Sequence, residues 1–143
     1  QEVMVKTLNE YATYADLVLP GCGEGKILCN TEDPSKINDF YMNLGAKMVV
    51  TKLGPDGALV RDGDKEYTVP GFIIDKVVDT VGAGDGFACG VITGLMEDLP
   101  LQSAVERACA IGAIQCTFAG DNEGLPTPEL LKQFMDSHKR VAL

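Results

Sequence analysis

Near the start of the chain apolar residues recur at helical spacing. Val5, Leu8 and Ala12 share one face, and the pattern predicts a helix over 2–14. Leu17-Val18-Leu19 is a short apolar run halted by Pro20-Gly21, which reads as a buried strand running into a loop. Asp33-Pro34 opens a second helix, with Asp33 as cap and Pro34 in the first turn. That helix carries Ile37, Phe40, Tyr41 and Leu44 inward and stops at Gly45. Met48–Lys52 is the clearest strand, and Gly54-Pro55-Asp56-Gly57 is a turn. Ala58–Arg61 and Glu66–Val69 flank Asp62-Gly63-Asp64 as a hairpin. Three helices follow: one to about Met96, one from Leu101 to Thr117, and one capped by Thr127-Pro128-Glu129 with Leu130, Leu131 and Phe134 inward. A strand after a helix indicates an α/β unit with a mostly parallel sheet. Only two or three strands suit a central sheet, so the chain reads as the later half of a larger fold.

Composition narrows the function classes. The 143 residues suffice for one domain, and 45% hydrophobic with 23% charged residues is the balance of a globular protein. No apolar run is long enough to span a membrane, and the first residues show no secretory signal. The net charge of −9 repels nucleic acid and anionic lipid, so neither is expected as a partner. A small anion held by backbone amides remains compatible with that charge. The five cysteines, Cys22, Cys29, Cys89, Cys109 and Cys116, are odd in number and lack C-x-x-C spacing. They read as small buried side chains in a reducing cytoplasm, without disulfide or zinc. The one histidine, His138, lies beside Lys139 and Arg140 and reads as a solvated helix-end residue. The acidic turns at Asp62 and Asp64 and at Asp121–Gly124 lack the spacing of an EF-hand and read as solvated loops.

The segment Asp79-Thr80-Val81-Gly82-Ala83-Gly84-Asp85 carries the chemistry. Its small residues allow close backbone approach to a ligand, and their N–H groups open the next helix, where the dipole favours an anion. A carboxylate beside such amides suits removal of a hydroxyl proton while charge on a transferring phosphoryl group is stabilised. A dinucleotide fingerprint would need glycine where Phe87 stands, and the Gly-Lys-Ser/Thr of a P-loop is absent. Gly86, Gly90 and Gly94 form a row of small residues suited to tight helix packing.

Asp79–Phe87 closely resembles the D-T-x-G-A-G-D-x-F signature of the ribokinase-like, phosphofructokinase-B type carbohydrate kinases. Lys52–Gly57 resembles that family's nucleotide loop, and Ala15–Pro20 followed by Glu24 resembles its strand and N-x-x-E motif. The resemblance implies the C-terminal half of a three-layer α/β/α fold, spanning 1–143, with the sugar-binding half and lid absent. It implies ATP as phosphoryl donor, Asp85 as general base, and Gly82, Ala83 and Gly84 as the anion hole for the γ-phosphate. ATP contacts are implied at Lys52, Gly54, Pro55, Gly57, Thr80, Gly84 and Ala108. Glu24 is implied in holding Mg2+, and Asp79 and Gly120 a monovalent cation such as K+. Gly21 replaces the asparagine of the N-x-x-E motif. The resulting Pro20-Gly21-Cys22-Gly23-Glu24-Gly25 resembles the 2-keto-3-deoxygluconate kinase branch, which implies a deoxy sugar acid as acceptor.

Three outcomes stay open at this level. The chain is the catalytic half of a sugar or sugar-acid kinase, with ribose or fructose as alternative acceptors. It is a nucleotide-binding half-domain without transfer of its own. Or it is a non-binding fragment. Family members are often homo-oligomers, paired through the lid that is absent here.

Overall fold

A computed structural model describes residues 1–142. The elements in chain order are α1 (Glu2–Ala12), β1 (Leu17–Val18), α2 (Cys22–Leu28), α3 (Pro34–Leu44), β2 (Met48–Lys52), β3 (Gly57–Asp62), β4 (Lys65–Pro70), α4 (Ala83–Met96), α5 (Leu101–Gln115) and α6 (Pro128–Ser137). A 3-10 turn, Gly54–Asp56, separates β2 from β3. The strands form one sheet in the order β1-β2-β3-β4. The α/β expectation holds, but this sheet is mixed: β1 and β2 pair parallel, with Leu17 opposite Met48, whereas β2 and β3 pair antiparallel, with Val50 opposite Val60. The tight connections on either side of β3 allow no crossover, so β2, β3 and β4 run as a meander.

The chain divides into two compact units. The first comprises 1–54 and 58–68. Its core contains Ala12, Ile37, Tyr41, Ala46 and Val49, joining α1 and α3 to β2. Asp33 caps α3 by accepting from the Ser35 and Lys36 N–H groups, and Gly45, at φ 114°, ends it. Asn38 is fully buried on the same helix and accepts from Thr51 Oγ1 at 2.7 Å, so a polar pair ties α3 to β2 inside the core. Helix α2 was not expected. Its glycine-rich sequence hides it, although the Glu24 side chain accepts from the Gly21 N–H at its start.

The second unit comprises, among the described residues, 55–57 and 69–142. Its centre is the packing of α4 on α5. A Cβ on Gly90 would stand 2.5 Å from Ala108 Cα, and one on Gly94 would stand 2.6 Å from Ala104 Cβ. The glycine row therefore sets how closely the two helices approach. Thr127 caps α6, and Phe134 is buried against Phe72 with ring centroids 5.4 Å apart. Leu130, expected inward, is 44% exposed. His138 follows α6 and stacks on Phe134 at 3.9 Å, a structural contact at a helix end.

All five cysteines are free thiols. Burial pushes the Cys109 thiol up to about 12, and Cys89 is exposed. Alkylation under native conditions at neutral pH should therefore modify Cys89 first and leave Cys109 untouched until the protein unfolds. Peptide mapping by mass spectrometry checks this. Early modification of Cys109 would contradict the α4–α5 packing.

Candidate active site

In the first unit, Lys52 ends β2 and forms a parallel bridge with Gly21. The Lys52 N–H donates to Pro20 O at 2.7 Å, and Cys22 Sγ lies 3.6 Å from Lys52 O. These contacts place the start of α2 beside the Lys52 side chain. Glu24 accepts from the Gly21 N–H at 2.5 Å, and its Oε2 lies 3.7 Å from Lys52 Nζ. An ammonium group thus stands next to Glu24 in the sequence that lacks the motif's asparagine. A Cβ on Gly21 would lie 3.3 Å from Glu24 Oε2, so a larger residue there would crowd this pair.

In the nucleotide-loop segment, Gly54 and Pro55 are exposed. Gly57 is buried at φ 108°, and a Cβ there would strike the Val69 carbonyl. Gly57 therefore serves a close backbone approach inside the second unit. Ala108 is corrected as a nucleotide contact: it is fully buried against Gly90 and offers no surface to a ligand.

The Asp79–Asp85 turn lies in the second unit. Gly82 is the N-cap of α4 at φ 76°, and a Cβ there would run into the Asp121 backbone. Only glycine combines that left-handed conformation with that clearance. The Ala83 N–H donates to Thr80 O at 3.3 Å. No acceptor among the described residues takes the N–H of Gly84 or Asp85. These two residues and Thr80 are exposed, so the first turn of α4 presents unpaired donors beside the Asp85 carboxylate.

Asp79 braces this turn from below. Its Oδ1 accepts from the Val81 N–H at 3.1 Å and its Oδ2 from the Gly120 N–H at 3.5 Å. The Val81 N–H, and then the Gly120 N–H, hold its carboxyl below the ordinary carboxylate range. Gln115 donates through Nε2 to Gly120 O at 2.9 Å and to Val81 O at 3.5 Å.

The residues present suit some of the expected groups and not others. Glu24 is one exposed carboxylate, and the described residues contain no cluster of three or more metal-ligating side chains. That fits Mg2+, which keeps waters and binds through one or two carboxylates and substrate phosphates. The monovalent cation expected at Asp79 and Gly120 does not fit. Gln115 Nε2 stands between the Gly120 and Val81 carbonyls, 2.9 and 3.5 Å away, in the place a cation bound by those oxygens would take.

Sequence reasoning missed Gln115, although its spacing from Ala108 and Ile111 puts it on the buried face of α5. It also missed the pairing of Lys52 with Glu24, which two short sequence segments brought together by the fold cannot reveal.

A family model described as pfkB family carbohydrate kinase matches residues 1–128. The 2-dehydro-3-deoxygluconokinase of Bacillus subtilis (strain 168) is 45% identical over 141 residues, covering 99% of this chain and 44% of the relative. A PfkB protein from Polaromonas sp. JS666 superposes with a TM-score of 0.77 at 42% identity, covering 92% of this chain and 40% of the other. The aminoimidazole riboside kinase of Salmonella enterica, solved with aminoimidazole riboside and an ATP analog, gives a TM-score of 0.84 at 28% identity, covering 92% of this chain and 46% of the other. The chain thus spans less than half the length of each of these relatives. By sequence and by fold alike, it belongs to the pfkB family of carbohydrate kinases.

Proposed function

We propose that the intact protein transfers the γ-phosphoryl group of ATP to a hydroxyl of a sugar acid, 2-keto-3-deoxygluconate (2-dehydro-3-deoxygluconate). The observation that carries the phosphoryl-transfer reading is the turn into α4: unpaired N–H groups of Gly84 and Asp85 beside an exposed carboxylate. The acceptor is inferred from the Gly21–Glu24 variant of the motif and from 45% identity to a 2-dehydro-3-deoxygluconokinase.

In this reading Asp85 accepts the proton of the acceptor hydroxyl as its oxygen attacks phosphorus. The amides opening α4, with Gly82 and Ala83 shaping the turn, stabilise the charge that builds on the transferring group. Glu24 is the residue that would hold Mg2+, which would supply charge neutralisation at the phosphate oxygens. Thr80, Gly54 and Pro55 offer exposed surface to ATP, and the Lys52 ammonium adds a charge-assisted contact to a phosphate. Lys52→Met should raise the KM for ATP about tenfold, the loss of one such contact, with less change in kcat. Steady-state kinetics against ATP checks this, and an unchanged KM would remove Lys52 from the nucleotide site.

Coverage of 44% of the Bacillus relative favours a second reading for these residues alone, a nucleotide-binding part that performs no transfer by itself. Calorimetric titration with Mg-ATP, with and without sugar, separates the two. Heat from ATP without turnover supports the second; turnover supports the first.

A further inference from the structure

Gln115 is fully buried at the end of α5, and its Oε1 has no hydrogen-bond partner among the described residues. A Cβ on Gly124 would come within 2.8 Å of that oxygen, so it packs closely against the Gly124 backbone without accepting a hydrogen bond. An unpartnered buried acceptor is costly, about 1–3 kcal/mol, and a leucine would fill the same space without it. The other end of the carboxamide shows what the polar group does. Nε2 reaches the carbonyls of both Val81 and Gly120, whose N–H groups go to Asp79. Asp79 and Gln115 thereby hold the same two peptide segments, one through their donors and the other through their acceptors. Val81 precedes Gly82, and Gly120 precedes Asp121, the residue whose backbone lies against Gly82. The closed ring fixes the turn that starts α4.

The Val81 and Gly120 carbonyls converge on one point, which favours a hydrogen-bond donor or a cation there. Here the NH2 of an amide takes that place. We infer that Gln115 is a positioning residue for the anion-binding turn, and that its carboxamide replaces a monovalent cation at this junction. The inference rests on the reading of Gly82–Gly84 as the phosphate site for its catalytic part, but not for its structural part.

The test compares the intact wild-type protein with Gln115→Ala, which vacates the amide's position, in KCl and in choline chloride at equal ionic strength. Melting temperature is the first readout, because it requires no substrate. The wild type should melt at the same temperature in both salts, and Gln115→Ala should melt about 3 °C or more higher in KCl, as a ligand specific to the folded state requires. In the phosphorylation assay, Gln115→Ala should lose about tenfold or more in kcat in choline, with little change in KM, and recover in KCl. Gln115→Leu keeps the packing but supplies neither donor nor ion site. It should show the same kcat loss without recovery. A potassium response in the wild type, or none in Gln115→Ala melting, overturns the inference. If no acceptor is phosphorylated by the wild type, the proposed function fails while the melting comparison still decides the role of Gln115.

Discussion

Asp85→Asn in the intact protein should lower kcat by at least about 100-fold, the low end of what a general base contributes. Asparagine keeps the size of the side chain and the turn around it but cannot take the hydroxyl proton. The affinity for Mg-ATP should change little, because the N–H donors that open α4 belong to the backbone. Single-turnover rates at saturating ATP, paired with calorimetric ATP binding, read the two effects apart. A near-normal rate would remove Asp85 from catalysis. A loss of ATP binding equal to the loss of rate would make it a binding residue. Asp85 is exposed, and no hydrogen bond fixes its carboxylate among the described residues. Its placement comes from the backbone: Gly82 turns the chain at φ 76° and α4 begins at once.

Gly90→Val should destabilise the fold by about 2–3 kcal/mol, within the range for overfilling a packed core. Even the first carbon of a side chain would stand 2.5 Å from Ala108 Cα and 2.8 Å from Ala108 N. Those atoms are backbone of the facing helix and cannot rotate away. The gain in helix propensity from replacing glycine, under about 1 kcal/mol, does not offset that clash. Urea unfolding followed by circular dichroism measures the change. Gly23→Val is the control, because a Cβ at Gly23 meets nothing within 4 Å. Equal effects at the two positions would mean that α4 and α5 are not in the contact described.

The contrast between these glycines shows what the sequence could carry. Gly86, Gly90 and Gly94 repeat at helical spacing, so their shared face and tight packing are local facts visible without coordinates. The caps Asp33 and Thr127 and the stop at Gly45 are likewise local. Helix α2 escaped because four residues of Gly21–Gly25 other than Cys22 are glycine or glutamate, which mask a helical pattern. The sheet's mixed pairing depends on where β3 docks, which periodicity does not encode. Gly82–Asp85 is contiguous, so its glycine-led turn into a helix was legible. Lys52 beside Glu24, and Gln115 between Val81 and Gly120, join residues distant in sequence. Ala108 was misread because its helix was placed correctly but its face was not.

The most direct test is ATP-dependent phosphorylation by the intact protein, followed by ADP release with Mg2+ present, across 2-keto-3-deoxygluconate, ribose and fructose. The expected result is turnover on 2-keto-3-deoxygluconate with kcat/KM about 100-fold or more above the other two, a margin that a site built to hold an acceptor's polar groups can supply. Turnover confined to ribose or fructose would keep the kinase and overturn the acceptor. No turnover on any of the three, with Mg-ATP bound, would contradict phosphoryl transfer to these sugars.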